Sequence, residues 1–261
     1  MQTSTKPMPM ARACDHGDPP DQAMRQQADG LRAHGLDRLH AIDPHWAAAW
    51  QALATRSAGA SLAPKLAALI RLNIDVTATH LHAPGVQRHV QACLDAGATR
   101  AEIMAVFKLA AVIGIHALAL GVPMLEAELK ARGLPDDAAP QPATPVTDAV
   151  RARGQFNPLW ETLARWDPAW LERFLAMGLP LWTDGVLPPL WIELLCISGD
   201  AAITHLYAHG TQRHIEAALA MGATREQILD VLKIVSLQGI QSMALALPFL
   251  DAATAPHPSP A

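Results

Sequence analysis

Apolar residues recur along this chain with the period of an α-helix. After Thr99, the positions Ile103, Val106, Phe107, Ala110 and Ile113 fall three or four apart, on one face of a helix. Thr99 and Glu102 have the spacing of a capping box, in which the hydroxyl accepts a first-turn amide and the carboxylate reaches back to the cap amide. The pattern returns at Thr224 and Gln227, followed by Ile228, Val231, Leu232, Val235 and Gln238. The polar last member, Gln238, marks a pocket wall or a subunit seam. Pro64 suits a first helical turn, where its missing N–H is no loss, and the helix it opens runs into the low seventies. A break at Pro84–Gly85 precedes a shorter helix over about 86–96, ended by Gly97 as a C-terminal glycine able to take positive φ.

These patterns come in pairs. A shift of 125 residues lays His80 on His205, Gly85 on Gly210 and Gln87-Arg88-His89 on Gln212-Arg213-His214. It also aligns Gly97 to Arg100 with Gly222 to Arg225, Lys108 with Lys233 and Gly114 with Gly239. One residue off that register, IDPHW at 42–46 echoes WDPAW at 166–170. Between the copies, four prolines in GLPDDAAPQPATPVT forbid regular helix and suit an extended linker. The expected organisation is a disordered tail over 1–30, a first repeat over 31–133, a linker over 134–147, a second repeat over 148–251 and a disordered tail over 252–261.

Composition agrees with an all-α fold: the chain of 261 residues is 51% hydrophobic and only 5% aromatic, rich in the Ala and Leu that cost least in a helix. A net charge of -4 supplies no basic stripe for a phosphate backbone, so no nucleic-acid partner is expected. No run of about 18 uninterrupted apolar residues is present, so no membrane span is expected either, and the amino-terminal stretch lacks a signal-length apolar run. The cysteines Cys14, Cys93 and Cys196 are scattered and form no CxxC, which suits a reducing cytoplasm.

The candidate chemistry lies in THLHAPGVQRH at 79–89 and its echo THLYAHGTQRH at 204–214. The spacing of His80, His82 and His89 does not match the HxxxH that sets two imidazoles on one helix face, and no Asp or Glu adjoins them in sequence, so no metal is expected. In the second copy Tyr207 replaces His82, which disfavours one metal site common to both halves. Acid–base work demands less, since a single positioned imidazole titrates near neutral pH. His89 and His214 each follow an arginine, Arg88 or Arg213, suited to a bidentate grip on an anionic substrate. Glu193, whose counterpart is Ala68, would lie on the helix before the second phrase and orient an imidazole. Structural roles stand beside these: His80 and His205 as packed side chains, the arginines as solvated or paired charges. His116, within the apolar run from Val112 to Val122, needs a partner because an unpaired imidazole there is costly.

The pattern H-(V/I)-x-A-x-L-x-x-G-A-T-R-x-(E/Q)-I, from His89 to Ile103 and again from His214 to Ile228, resembles the carboxymuconolactone decarboxylase family of the alkylhydroperoxidase-D-like fold. With the preceding helix the likeness covers roughly 62–131 and 187–250. It implies a helical bundle of two tandem units, and a homotrimer of two-repeat chains as the assembly. The family's peroxidase branch carries CxxCxxxH, whose cysteine positions fall here on His82 and Gly85 and on Tyr207 and Gly210, none of them a thiol. The decarboxylase branch needs no cofactor. The resemblance therefore implies a cofactor-independent lyase or isomerase acting on a small carboxylated lactone or keto acid. In that reading His89 or His214 moves a proton next to a carbonyl, His82 or Tyr207 polarises the oxygen, Glu193 sets a tautomer and His80 and His205 assist. Arg88, Arg213 and His116 face the substrate. The competing expectation is a non-catalytic oligomeric binding protein of the same fold, with a peroxidase third.

Overall fold

A computed structural model describes residues 38–254, and these are helical with no strand among them. The first repeat contributes α1 (Pro44–Arg56), α2 (Pro64–Val76), α3 (Ala83–Asp95), α4 (Arg100–Val112) and α5 (Ile115–Ala131). The second contributes α6 (Pro145–Ala152), α7 (Glu161–Trp166), α8 (Pro168–Gly178), α9 (Pro180–Thr183), α10 (Pro189–Asp200), α11 (Ala208–Ala220), α12 (Arg225–Ser236) and α13 (Ile240–Thr254).

The helix boundaries follow from local chemistry. Both capping boxes form, Thr99 with Glu102 and Thr224 with Gln227. Gly97 and Gly222 take φ of +78° and +91° to end α3 and α11. The IDPHW and WDPAW echoes open α1 and α8: Asp43 and Asp167 accept the backbone N–H of Trp46 and Trp170, at 2.9 and 3.0 Å, with a proline in each first turn.

Three expected boundaries move. Residues 145–147 belong to α6 rather than to the linker, because Pro145 sits in the first turn, where proline is tolerated. Residues 252–254 complete α13 instead of starting a tail. The break before α3 falls earlier than expected, with Pro84 and Gly85 inside its first turn. The expected tail over 1–30 and the start of the first repeat at 31–37 lie outside the described residues.

The repeats merge into one core. Leu66, Leu69, Ile70 and Leu72 of α2 and Ile192, Leu194, Leu195 and Ile197 of α10 are almost wholly buried in a single apolar cluster with Val106 and Val231. Residues related by the 125-residue shift meet each other: Asn73 Nδ2 donates to Ser198 Oγ at 3.0 Å, and the Thr79 and Thr204 hydroxyls lie 3.4 Å apart. Contacts between equivalent positions mark a local two-fold axis between α2 and α10. Residues 100–131 and 225–254 are, by length and composition alone, apolar enough to cross a membrane. Their inner faces supply Ile103, Val106, Ile228 and Val231 to this core.

Candidate active site

Each repeat carries a buried aspartate in the last turn of its central helix, α2 or α10. Asp75 and Asp200 are equivalent under the 125-residue shift, and both side chains are nearly inaccessible. After each, the chain turns through a leucine in the left-handed region, Leu81 at φ +48° and Leu206 at φ +50°, which a non-glycine residue adopts at a cost of about 1–2 kcal/mol. The turn returns the backbone N–H of His82 to Asp75 O at 2.9 Å and that of Tyr207 to Asp200 O at 2.8 Å. Position 82 or 207 is thereby held over the carboxylate. Gly85 and Gly210 then let α3 and α11 start against it, since a Cβ at either position would collide with the carboxylate oxygens.

Around Asp75 every polar bond is made. His89 Nδ1–H donates to Oδ2 at 2.6 Å and Gln241 Nε2 donates to Oδ1 at 2.7 Å. His82 Nδ1 and His80 Nε2 lie 3.6 and 3.9 Å from Oδ1, and His80 also contacts the Gln241 amide oxygen. Burial alone would raise the Asp75 carboxyl, but the nearby His82 imidazole and the hydrogen bonds from His89 and Gln241 outweigh it and hold the group well below the ordinary carboxylate range. Gln241 comes from α13, so the second repeat closes the first repeat's cluster.

The second cluster is arranged differently. Glu193, not Asp200, takes the proton of His214: Nδ1 donates to Glu193 Oε2 at 2.6 Å, while Trp182 Nε1 donates to Oε1 at 2.9 Å. Burial would raise Glu193, yet the bonds from His214 and Trp182 bring it below its usual value. Position 68, the equivalent of Glu193, is alanine, so His89 turns to Asp75 instead. Asp200 loses its imidazole donor as a result. Its Oδ2 has no hydrogen-bond partner among the described residues, and burial, reinforced by the Glu193 charge and only partly offset by Arg213, pushes its carboxyl up to about 7. From the first repeat His116 reaches across to it, Nδ1 3.7 Å from Asp200 Oδ1 and 2.9 Å from His205 Nε2, with its ring stacked on Tyr207 at 4.0 Å. Burial, together with the positive potential of His205, His214 and Arg213, pushes His116 down to about 3, so it is a neutral imidazole.

These second-repeat groups line a cavity of about 120 Å³ closed by α4, α5 and the segment from α6 to α9. Arg213, His214, Asp200, Tyr207 and His116 occupy one side; Leu109, Ile113, Trp160, Phe174 and Leu179 provide the apolar wall. Arg213 spends Nη2 on the Gln155 carbonyl at 2.7 Å. Unpartnered buried polar atoms concentrate here, namely Asp200 Oδ2, Tyr207 OH, Trp160 Nε1 and Asn73 Oδ1, all in lining residues. Buried polar atoms are ordinarily paired, so such a concentration marks a place where a ligand supplies the partners.

Among the sequence candidates, His116, Tyr207, Arg213 and His214 line the cavity; Glu193 and His205 back it through the bonds just described. His80, His82 and His89 gather around Asp75 on the other side of the two-fold axis, and Arg88 is exposed. Gln238, read as a wall or seam, is buried and accepts the Ile203 amide at 3.2 Å. Asp75, Asp200, Trp182 and Gln241 were not legible as site residues. For the aspartates one signal existed, their identity under the 125-residue shift.

Comparisons with known proteins bear on both repeats. Residues 44–122 match the model of the carboxymuconolactone decarboxylase family. A crystal structure from Burkholderia xenovorans LB400, of a protein provisionally named a gamma-carboxymuconolactone decarboxylase subunit, superposes with a TM-score of 0.76 at 35% identity over 90% of this chain and 97% of that one. Among curated proteins none matches significantly.

Proposed function

Because the chain belongs to the carboxymuconolactone decarboxylase family, we propose that the second-repeat cavity is its active site and that it is a cofactor-independent carbon–carbon lyase or isomerase for a small carboxylated lactone or keto acid. The observation that carries this reading is the pairing of a base and an acid across one gap. Glu193 fixes the proton of His214 on Nδ1, leaving the Nε2 lone pair as a base. Asp200 Oδ2 lies 3.9 Å from that nitrogen on a carboxyl pushed up to about 7, so that a large share of it carries a proton near neutral pH. The remaining donors of Arg213 hold the substrate carboxylate. His214 abstracts a proton next to the carbonyl, and Asp200 and the Tyr207 hydroxyl donate hydrogen bonds to the oxygen that gains charge. In a decarboxylation the C–C bond electrons pass into the carbonyl as CO2 leaves. The enolate is protonated at carbon, by the His214 imidazolium when a proton was first abstracted and by Asp200 when CO2 has left, and Asp200 then regains its proton from water.

The first-repeat cluster, including His80, His82 and His89, is outside this reaction, because Asp75 is already fully bonded and ionised. The same reading makes the chain a cytoplasmic homo-oligomer, a trimer of two-repeat chains. Exposed Leu120, Met124 and Leu125 on α5 and Leu245, Phe249 and Leu250 on α13 support contacts between chains, and unpaired Cys93 and Cys196 suit a reducing compartment.

The test is turnover of carboxymuconolactone and related carboxylated lactones and keto acids, followed by CO2 release and by ring-absorbance change. The wild type should turn over at least one acid, with His214→Ala reduced about 10²–10⁴-fold and Arg213→Met raising KM about 10- to 100-fold through loss of a charged hydrogen bond. Saturable binding without turnover would instead make the cavity a binding site.

A further inference from the structure

The imidazoles gathered around Asp75, those of His80, His82 and His89, line no part of the cavity, and the proposed reaction leaves them without a task. We propose that Asp75, His80 and His82 form a binding site for one divalent transition-metal ion, of which Zn²⁺ is the representative, separate from the cavity in the second repeat.

The donor atoms are Asp75 Oδ1, His80 Nε2 and His82 Nδ1, all within 4.8 Å of one another. The two imidazole nitrogens stand 3.9 and 3.6 Å from the carboxylate oxygen. Ligands about 2.1 Å from a common ion, at angles between octahedral and tetrahedral, lie about 3.0–3.4 Å apart. Closing this triad on an ion therefore takes side-chain movements of less than about 1 Å. Two imidazoles and one carboxylate are the donor set of open zinc sites and also suit other late first-row divalent ions. The absence of a neighbouring acid was the sequence-level objection to a metal. The fold removes it, because Asp75 stands five positions before His80 and the left-handed turn at Leu81 brings both histidines back over it.

The surroundings fit the assignment. His89 donates to the other oxygen of Asp75 at 2.6 Å, the outer-shell bond that orients a ligating carboxylate and favours its ionised form. The His80 and His82 side chains keep 16% and 22% exposure, so an ion reaches them from solvent, whereas Asp75 at 1% forms the floor. Three present contacts must yield, one of them the bond of His80 Nε2 to the Gln241 amide oxygen, which holds a proton on the nitrogen that would bind the ion. Gln241 releases Asp75 Oδ1, after which its amide oxygen, already against His80, is placed to serve as a fourth donor. His82 Nδ1 gives up the long 3.2 Å bond from the Gly85 amide.

Around Asp200 the nearest comparable donor group is Asp200 and His205 of the second repeat with His116 of the first. It fits less well: Tyr207 stands where His82 does, the two imidazole nitrogens are bonded to each other at 2.9 Å, and the Asp200 carboxyl holds a competing proton to about pH 7. One ion per chain follows, bound in the first repeat.

The test uses the full chain stripped with EDTA and titrated with ZnCl2 alone by calorimetry, with Co²⁺ absorption as a second readout. The expected result is one equivalent per chain, with His80→Ala and His82→Ala each weakening binding about 100-fold or more and His205→Ala leaving it within threefold. Circular-dichroism melts establish that the variants are folded, and the partly exposed His82 is the position least prone to unfold. Absence of stoichiometric binding at micromolar Zn²⁺, wild-type affinity in the His80→Ala and His82→Ala variants, or loss of binding only in His205→Ala would each overturn the proposal. Since the readout is metal binding rather than turnover, it stands or falls independently of the lyase reading.

Discussion

Asp200 Oδ2 and His214 Nε2 stand 3.9 Å apart, too far for a hydrogen bond to each other and close enough for both to reach one group bound beside them. In the first repeat the same two positions are bonded directly, His89 to Asp75. One difference accounts for it: Glu193 draws His214 away from the aspartate, and Ala68 cannot do so for His89.

Asp200 should destabilise the fold as pH rises. Its carboxyl moves from an ordinary 3.8 to about 7 on folding, so between those values the folded state holds a proton that the unfolded state has lost. Stability therefore falls from about pH 4 to about pH 7 and is flat above, by roughly 4 kcal/mol in total at about 1.4 kcal/mol per pH unit. Asp200→Asn removes this slope. Urea denaturation at a series of pH values should show the variant gaining on wild type across that window, and parallel curves would contradict the assignment.

Glu193→Gln keeps the shape of the group but accepts from Nδ1–H only weakly and can offer a proton itself, which turns the His214 tautomer over. Activity should fall by less than the loss in His214→Ala, which is about 10²–10⁴-fold, and appear mainly in kcat. Steady-state kinetics on the substrate found in the screen measures the split. A change confined to KM would give Glu193 a binding role instead.

His116→Gln copies into the second site the residue that stands at position 241. There the amide donates to Asp75 and helps keep it ionised. The variant should lower the Asp200 titration from about 7 toward the ordinary carboxylate range. Carboxyl carbon NMR follows that midpoint directly, and the basic limb of the pH–rate profile should move down with it.

Gly210→Ala forces a methyl group against the Asp200 carboxylate and the Tyr207 ring. Overpacking of this kind costs about 1–3 kcal/mol, and the displaced carboxylate should reduce activity beyond what the stability loss explains. Thermal melts and kinetics on the same preparation separate the two. A variant with unaltered melting and turnover would mean that α11 can shift freely at its first turn.

The sequence by itself determined the helices, their caps and their pairing, because capping boxes, terminal glycines and a 3.6-residue apolar period act over a few residues and are written twice. It also pointed to His214 and Arg213 through their place in the repeated phrase, and to Glu193 on the helix before it, where the other copy has Ala68. What only the tertiary structure decided is which groups share a site. His116 meets Asp200, and Gln241 meets Asp75, through a two-fold crossing of the repeats that no spacing along the chain records. The two aspartates occupy equivalent places in the repeat, yet one carboxyl is held well below the ordinary range and the other is pushed up to about 7. The physical reason is a contest for a single imidazole donor inside a low-dielectric core, settled by the presence of Glu193 opposite Ala68.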